Sequence, residues 1–474
     1  MRTPEEYLEK LRSMRKNVHL NGELVDRDHP EIMPGVRVIS ETFKTDDPAW
    51  KGTATAVSHL TGKTINRFCH VHRTTDDLLA KQKMTRLFCR RTGGCIQRCM
   101  GTDALNALSV VTKACDDAMG TEYHDRFNAY LEWFQENDLV GNAAQTDVKG
   151  DRSKRPHEQV DPDLYVRVVE KKKDGIIVRG AKAHNTIGPY CDEIIVLPTR
   201  LMTPEDRDWS VAFAVPADAE GVHQFVRATH PRPRRFLKAP VAEFGACDSL
   251  TVFDDVFVPW ERVFLCGETM YAGQLAALFA TYHRHSYTGC KAAVSDIIVG
   301  AAALVAEYNG VTKAPHVRDK LAELVAVGEL VYAAGIAASV NAQPSSSGTM
   351  VPDIVFTNVG RYHAGVNVMH EFEILIDLAG GLPATLPPED EWADPESARF
   401  LEKYIMRNPD VSAENQHRCF RFLSDMLCSS NSGVMQVAGI HGGGSPIMEK
   451  IAITGLYDFE EKKAIVRHLA GITS

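Results

Sequence analysis

Three thiols and one imidazole fall in two short stretches that lie far apart in the chain. In the later stretch, His283 and Cys290 are seven residues apart. In the earlier stretch, Cys95 and Cys99 are four apart. Residues spaced by four or seven lie on one face of an α-helix, so each stretch predicts two side chains that point the same way. Two such helices would supply a four-ligand set for a metal centre, whereas an isolated His or Cys on an apolar helix is usually a core residue.

The later stretch carries a third side chain on the same stripe. Tyr287 lies between His283 and Cys290, so an imidazole, a phenol and a thiolate would project toward one point. The stretch opens a long apolar helical pattern that runs to about Tyr308.

Length and composition restrict the class of protein. The chain has 474 residues, a formal net charge of -9, 44% hydrophobic and 24% charged residues. These values are typical of a globular protein with two or three structural units. The mild acidity and the lack of a basic stripe argue against a nucleic-acid partner.

The N-terminus and the apolar runs predict a cytoplasmic protein without a membrane segment. Charges are scattered through Met1–Lys16, unlike a signal peptide, and the longest apolar run, Ile297–Ala306, is far shorter than the ~20 residues of a spanning helix. Eleven cysteines without a secretory signal argue for ligand or catalytic roles rather than for a disulfide framework.

Hydrophobic periodicity predicts three units in the order helical, mainly β, helical. Helical spacing runs from about Asp76 to Glu136 and returns after Met270. Strand signals lie at Leu164–Val169, Ile176–Val178, Glu193–Leu197, Trp209–Val215 and Leu250–Val258. The predicted boundaries are 1–141, 142–272 and 273–474. This order is typical of the α+β fold of acyl-CoA dehydrogenase-like flavoproteins: an N-terminal helical domain, a middle antiparallel β domain and a C-terminal helical bundle.

Three polar or glycine-rich segments are candidate cofactor contacts. Gln145–Pro156 is polar and basic, which fits either a solvated linker or a cradle for a pyrophosphate. Ala183–Pro189 predicts a tight polar loop, which is either a plain turn or a contact for a flavin ring edge. The run Gly442–Gly444 predicts either a close backbone approach to a ligand or a loop. No Gly-x-Gly-x-x-Gly motif follows a strand, so a Rossmann domain is not indicated.

Together these residues resemble the 4-hydroxybutyryl-CoA dehydratase family, whose members are also called vinylacetyl-CoA delta-isomerases. The resemblance covers essentially the full length, and the paired spacings Cys95-x3-Cys99 and His283-x6-Cys290 are specific to it. A wider family contains the large oxygenase component of 4-hydroxyphenylacetate 3-monooxygenase, which lacks this four-ligand set. The motifs that suggest the wider family are Thr146–Ser153, Phe253–Pro259 and Gly442–Gly444.

The resemblance implies two cofactors, a [4Fe–4S] cluster and FAD, in a homotetramer. Cys95, Cys99, Cys290 and His283 would hold the cluster, with His283 as the ligand that can leave iron or transfer a proton. FAD would lie against the segment that carries Asn185 and Thr186. The other residues implied in its binding are Gln145, Thr146, Asp147, Lys149, Arg152, Ser153, Gly442, Gly443 and Gly444.

The resemblance also implies an active site that contains Tyr287, Lys291 and Glu449. We expect Glu449 or His283 to take the first proton, and Tyr287 or Lys291 to assist near the leaving hydroxyl. A second family carboxylate comes from the β domain, and Asp248 is its candidate counterpart here.

The implied reaction dehydrates 4-hydroxybutyryl-CoA to crotonyl-CoA and needs more than an acid–base pair, because no carbonyl acidifies the C3 hydrogen. One-electron oxidation of the α-deprotonated thioester by the flavin would make that hydrogen much more acidic. Iron with a replaceable imidazole ligand suits the role of Lewis acid for the C4 hydroxyl. The electron returns at the end, so the expected radical mechanism is redox-neutral overall.

Three rival interpretations predict different contents of the purified protein. A flavin-dependent aromatic hydroxylase on the same fold would use reduced flavin and oxygen and contain no iron. A structural protein with a three-cysteine, one-histidine site would be colourless and hold one zinc. A plain acyl-CoA dehydrogenase would use Glu449 as its base and bury inert cysteines.

Overall fold

The computed structural model describes residues 1–472 and contains both helices and sheets. The N-terminal part contains α1 (Pro4–Ser13), β1 (Val18–Leu20), β2 (Glu23–Val25), α2 (Met33–Glu41), β3 (Thr55–Val57), β4 (Thr64–Asn66), α3 (Thr75–Thr92), α4 (Cys99–Met119) and α5 (Tyr123–Glu136). The middle part contains β5 (Gly141–Ala144), β6 (Arg167–Lys171), β7 (Gly175–Thr186), β8 (Glu193–Val196), β9 (Val211–Pro216), β10 (Val222–Arg227), β11 (Asp248–Pro259) and β12 (Val263–Cys266). The C-terminal part contains α6 (Thr269–Tyr308), α7 (Pro315–Val340), β13 (Gln343–Pro344), β14 (Met350–Val351), α8 (Ile354–Ala379), α9 (Leu382–Thr385), α10 (Asp390–Ala393), α11 (Pro395–Ile405), α12 (Ala413–Cys428), α13 (Ser430–His441), α14 (Pro446–Leu456) and α15 (Phe459–Ala470).

Two sheets form the middle of the molecule. The larger has the strand order β2-β1-β10-β11-β7-β6, and the smaller has the order β12-β9-β8-β5. Most neighbours are antiparallel, but β1 pairs with β10 and β5 pairs with β8 in parallel. The prediction of a purely antiparallel β region is therefore wrong at these two pairs. In both pairs a long stretch of chain separates the two strands, which is long enough for parallel pairing.

Besides its helices, the N-terminal part contains two strand pairs that the periodicity did not predict, and one of them, β3–β4, forms a separate two-stranded sheet. The strands β1 and β2 join the larger sheet, so the first 141 residues contribute to the β region as well as to the helices. The strand β5 begins at Gly141 and α6 begins at Thr269, close to the expected boundaries. The division into three units at 141 and 272 stays a prediction.

The strand β7 is longer than the sequence pattern indicated. It forms the predicted hairpin with β6 and then continues to Thr186, so the loop predicted at Ala183–Pro189 is wrong in its first half. The cause is pairing with β11, which places Ser249 opposite Asn185 and Asp248 opposite Thr186. A partner from a distant part of the chain thus keeps a polar segment extended.

The central helix of the bundle is α6, which packs against α3, α4, α7 and α8. It begins at Thr269 and ends at Tyr308, close to the predicted return of helical spacing after Met270 and to the predicted end. By length and composition alone, α6 and α7 are each long and apolar enough to cross a membrane. The most apolar window of α6 is 61% buried within the protein, whereas that of α7 is 33% buried.

The apolar periodicity of Glu396–Gln436 predicts a long helical segment. The segment is divided among three helices, α11, α12 and the start of α13. Pro409 lies between the first two, and Ser412 and Ser429 cap α12 and α13 by accepting backbone N–H groups. Side-chain caps of this kind start new helices and compete with continuation of the old one.

Candidate functional site

The helix α6 presents the predicted stripe on one side. His283, Tyr287 and Cys290 lie within it, and Cys290 is buried. The ring of His283 stacks on Phe279, one turn earlier, at 5.6 Å between centroids. The helical spacing expected for this stretch is therefore confirmed.

The prediction that Cys95 and Cys99 share one helix face is wrong. Gly93 has a φ of +73° and ends α3 in the left-handed conformation, and α4 begins only at Cys99. Cys95 therefore lies in the connecting loop, which is anchored at Gln97. The Gln97 side chain accepts a hydrogen bond from Tyr190 at 2.6 Å and donates one to the Gly245 carbonyl at 3.0 Å.

Although they come from a loop, a helix start and a distant helix, the four side chains meet. We call Cys95, Cys99, Cys290 and His283 the thiol centre. Contacts from the thiols of Cys290 and Cys99 lower the pKa of Cys95 well below its ordinary value, and the contact with Cys95 together with burial raises the pKa of Cys99. Cys99 also lies within 4.8 Å of a ring nitrogen of His283. This set of three sulfurs and one nitrogen fits an iron–sulfur cluster or zinc.

Two further side chains touch the thiol centre and were missed in the sequence. Cys89, in the last turn of α3, contacts Cys290 and accepts a hydrogen bond from the Ile96 backbone at 3.3 Å. Asp103 lies one turn after Cys99 on α4 and contacts His283 at 3.1 Å. The four-residue step from Cys99 to Asp103 was a usable signal, because it places both on one helix face. No comparable signal identified Cys89.

The glycine run lies directly against α6. A Cβ on Gly443 would be 3.3 Å from Cδ2 of His283, and one on Gly444 would be 2.9 Å from a carboxylate oxygen of Glu449. Two arginines hold the run: Arg284 donates to the Gly443 carbonyl at 2.8 Å, and Arg361 donates to the Gly442 carbonyl at 2.9 Å. The run is thus a close backbone approach beside the predicted ligand His283.

Glu449 is a buried carboxylate whose hydrogen-bonding capacity is unused. It is fully buried, and neither of its oxygens has a hydrogen-bond partner within residues 1–472. Its nearest charge is Arg284, at 3.7 Å. Burial raises the pKa of Glu449, and Arg361 and Arg284 partly offset that rise. Such a carboxylate can accept a proton from a group placed beside it.

Tyr287 and Lys291 have partners within the bundle. Tyr287 donates to the Gly439 carbonyl at 2.8 Å and lies under the guanidinium of Arg361, and burial raises its pKa. Lys291 is buried and pairs with Glu371 of α8, a fully buried residue that sequence reasoning missed. Nothing near Glu371 in the sequence indicated this pair, because the contact is made between two helices.

The β side of the site gathers the residues expected to meet a flavin ring. Thr186 donates to Asp248 at 2.6 Å, and Asn142 donates to the Thr186 carbonyl at 2.5 Å. The Ala183 backbone donates to the carbonyl of Thr146. Gln145 donates to the carbonyl of Ala276 on α6, two turns or ~10 Å before His283.

Two buried acceptors on this side lack partners. The side-chain oxygens of Asn142 and Asn185 make no hydrogen bond to any described residue. An unpaired buried acceptor is costly, so a donor from a bound group is expected there. The imide N–H of a flavin or its ribityl hydroxyls would supply such a donor.

The other side chains predicted to contact the cofactor either bond to neighbouring side chains or point to solvent. Asp147 is buried and bonded to Lys182 at 2.6 Å, while Lys182 also donates to the carbonyls of Gln145 and Leu197. Ser153 donates to Asp151, and both Lys149 and Arg152 are exposed. A role for these four side chains at a pyrophosphate stays a prediction.

Two sequence profiles of one family match almost the whole chain. The profile described as 4-hydroxyphenylacetate 3-hydroxylase N terminal matches residues 3–265, and the C-terminal profile matches residues 272–471.

Curated relatives fall into two functional groups. The chain is 39% identical over 486 aligned residues to the 4-hydroxybutyryl-CoA dehydratase/vinylacetyl-CoA-Delta-isomerase of Clostridium aminobutyricum. The alignment covers 99% of each protein. It is 28% identical to the 4-hydroxyphenylacetate 3-monooxygenase oxygenase component of Thermus thermophilus, over 98% of this chain and 96% of that protein.

Solved structures show the same division. An oxygen-tolerant archaeal 4-hydroxybutyryl-CoA dehydratase from N. maritimus matches with a TM-score of 0.94 at 38% identity, covering 100% of this chain and 95% of that one. The oxygenase component of 4-hydroxyphenylacetate 3-monooxygenase complexed with FAD matches with a TM-score of 0.86 at 26% identity. The match covers 99% of this chain and 98% of that one. Glutaryl-coenzyme A dehydrogenase matches with 0.50 at 13% identity over 80% of each chain, a likeness of fold alone.

Proposed function

The chain belongs to the 4-hydroxyphenylacetate 3-hydroxylase family, and within that family we propose that it is a hydro-lyase that dehydrates 4-hydroxybutyryl-CoA to crotonyl-CoA. We further propose that it isomerises vinylacetyl-CoA to crotonyl-CoA. The observation that carries the proposal is the thiol centre, because an aromatic hydroxylase has no use for three thiols and an imidazole at one point. The 39% identity to a dehydratase/isomerase over 99% of the chain supports the same activity.

The proposed ligands of a [4Fe–4S] cluster are the four members of the thiol centre. A cluster bound there supplies a Lewis acid for the C4 hydroxyl of the substrate. His283 is the ligand whose ring also contacts a carboxylate, that of Asp103.

The proposed flavin site lies between the β side described above and α6. FAD bound there supplies the one-electron chemistry that acidifies the C3 hydrogen in the radical mechanism we propose. The acyl-CoA dehydrogenase-like layout supports this place, because it puts the sheets beside the helical bundle. Asn142 and Asn185 would accept hydrogen bonds from the bound group, and Thr186 would meet it from the end of β7.

Glu449 is the proposed base for the α-proton of the thioester. Its carboxylate is buried, lacks a partner among residues 1–472 and lies beside Arg284, which can stabilise its ionised form. Gly444 permits this approach, since any side chain there would meet both groups. His283 is the alternative acceptor of the first proton.

Tyr287 and Lys291 are the proposed assistants at the leaving hydroxyl. The phenol of Tyr287 keeps its proton because burial raises its pKa, so it can donate a hydrogen bond. Lys291 lies one turn further along α6, where Glu371 and Ser295 hold its ammonium group. Tyr287 is held by the Gly439 carbonyl, so it could turn toward a substrate only by exchanging that partner.

The deciding experiment compares two cysteine variants of anaerobically purified protein. Cys99→Ala should lose the cluster absorbance, most iron and acid-labile sulfide, and all dehydratase activity. Cys115→Ala, a buried thiol on the same helix outside the thiol centre, should keep them. Dehydration at the normal rate by a cluster-free Cys99→Ala protein would reject the mechanism.

The same samples separate the rival functions. The family profiles carry the name of a hydroxylase, so an FAD-dependent aromatic hydroxylase is the second candidate. It predicts oxygen-dependent consumption of reduced flavin and no iron in the unaltered protein. One zinc and no colour would instead indicate a structural three-cysteine, one-histidine site.

We also propose that the chain forms a homotetramer in the cytoplasm. The C-terminal helices expose large apolar side chains on several faces, among them Leu330, Met369, Ile447 and Leu469, which is 79% exposed. Apolar surface of this extent is typical of an interface between copies. Light scattering coupled to size exclusion tests the tetramer directly, and a monomer at micromolar concentration would reject it.

A further inference from the structure

We propose that Asp103 is a positioning residue that fixes the imidazole of His283, and that Lys81 holds this carboxylate in place. The proposal rests on the proposed function in one respect, that His283 is a ligand of the cluster. Neither Asp103 nor Lys81 belongs to the predicted site.

Asp103 connects three helices, because its carboxylate on α4 contacts side chains of α3 and α6. It is fully buried on α4, and one carboxylate oxygen accepts hydrogen bonds from Lys81 and Ser286, each at 2.8 Å. The other oxygen lies 3.1 Å from Nδ1 of His283. Both oxygens are therefore occupied by side chains, which favours positioning over direct binding of a metal.

Lys81 pairs with this carboxylate in a salt bridge. It lies on α3 and is itself almost fully buried, and besides Asp103 it donates to the carbonyl of Tyr282 at 3.1 Å. A buried charged side chain is costly unless it is paired and hydrogen-bonded. The Lys81 ammonium holds one oxygen of Asp103, and the other oxygen faces the imidazole of His283.

A carboxylate oxygen next to Nδ1 decides which ring nitrogen carries the proton. His283 must donate its Nδ1–H to Asp103, which leaves the lone pair on Nε2 free for a metal. Within the described residues, Asp103 is the one hydrogen-bond partner of this ring. Gly443 closes the other edge of the ring, since a Cβ there would be 3.3 Å from Cδ2. The ring is thus fixed in tautomer and in orientation.

The expected consequence is a change in how firmly iron is held. Loss of an outer partner of a metal-binding histidine typically weakens metal binding about 10- to 100-fold. We expect Asp103→Asn to bind FAD normally and to release iron to a chelator about 10- to 100-fold faster than the unaltered protein. Asp296→Asn is the matched control. It removes a carboxylate on α6 that pairs with Arg86 of α3 and lies outside the thiol centre.

A double variant guards against simple misfolding. Asp103→Asn leaves Lys81 as an uncompensated buried cation, whereas Lys81→Met with Asp103→Leu replaces the pair by apolar side chains of similar size, a change that proteins often tolerate. If Asp103→Asn does not fold, the double variant decides, with folding checked by circular dichroism. Faster iron release from the folded variant supports the proposal, and release at the unaltered rate overturns it.

A measurement on the unaltered protein needs no variant to fold. Pulsed electron resonance of the reduced cluster in protein labelled with ¹⁵N-histidine should detect a remote imidazole nitrogen that carries an exchangeable proton. A remote nitrogen without that proton would overturn the proposal. If the unaltered protein contains no cluster at all, the proposed function fails first, and the iron and sulfide analysis reports that failure separately.

Discussion

The thiol centre and the segment Gln145–Ser153 hold their polar groups in opposite ways. In the thiol centre, side chains from three separate places face one another. In the segment, Asp147 is bound to Lys182, Ser153 is bound to Asp151, and Arg152 is exposed. In the first region the sulfur and nitrogen atoms face one another, whereas in the second Asp147 and Ser153 are bonded to other side chains and Arg152 points to solvent. A segment rich in suitable groups is therefore a weaker indication of a site than a few groups that converge.

The largest expected effect is loss of the cluster when Cys290, but not the neighbouring Cys89, is replaced. Cys290→Ala should abolish cluster binding and dehydratase activity, because it removes one of four proposed ligands. Cys89→Ala removes a thiol that touches Cys290 but is not among those ligands, so it should keep normal iron and sulfide contents. Iron analysis of both variants checks this. The reverse result would make Cys89 the ligand and break the assignment of the thiol centre.

The next largest effect is expected at Glu449, the carboxylate beside the glycine run that has no hydrogen-bond partner within residues 1–472. Glu449→Gln should lower the dehydration rate about 10²- to 10⁴-fold, the usual contribution of a general base, and leave the iron content unchanged. Glu460→Gln, which alters an exposed carboxylate on α15, serves as the control. Unchanged turnover by the Glu449→Gln variant would transfer the role of base to His283.

A stability change should dominate in the polar segment. Asp147→Asn leaves Lys182 buried without a counter-charge, and breaking a buried pair costs about 3–5 kcal/mol in the free energy of unfolding. Urea unfolding measures this cost. Replacing both residues by apolar ones should recover most of it. A large loss of FAD affinity without any loss of stability would contradict a mainly structural role for Asp147.

The pH dependence of turnover reports on Glu449. Burial raises its pKa, and a base works only when it is deprotonated. The rate should therefore fall as pH decreases through this raised pKa, by about tenfold per pH unit below it. The acid limb should disappear from the residual activity of Glu449→Gln. An acid limb that is identical in the variant would assign it to another group.

The smallest effect concerns the exposed end of the segment. Arg152→Ala should weaken FAD binding about 10- to 100-fold if its guanidinium meets a phosphate, since one charge-assisted hydrogen bond contributes about 1.5–3 kcal/mol. Fluorescence titration of the apoprotein with FAD measures the change, and Arg399→Ala on α11 provides a surface control. An unchanged dissociation constant would make the segment a solvated linker.

The sequence predicted the helical half of the site well because helix spacing is local. His283, Tyr287 and Cys290 occupy α6 as expected, since the periodicity of one segment decides which side chains share a face. Cys95 was placed on a helix, but α3 ends before it and α4 begins after it. The Gly93–Gly94 pair was the physical reason, because glycine favours the left-handed conformation that stops α3.

Long-range pairing explains what the sequence could not provide. Asn185 and Thr186 read as a loop, yet β11 holds them in a strand through partners more than 60 residues away. Glu371 meets Lys291 across two helices, and no periodicity encodes which helix faces which. Asp103 is the intermediate case, because its spacing from Cys99 was visible but its contact with His283 required the packing of α4 on α6.

The most direct test of the central claim is a Mössbauer spectrum of anaerobically prepared protein loaded with ⁵⁷Fe. If three thiolates and the imidazole of His283 hold one four-iron cluster, one iron should differ from the other three, and His283→Cys should make all four alike. Four equivalent irons in the unaltered protein, or a signal from single iron ions, would contradict the account.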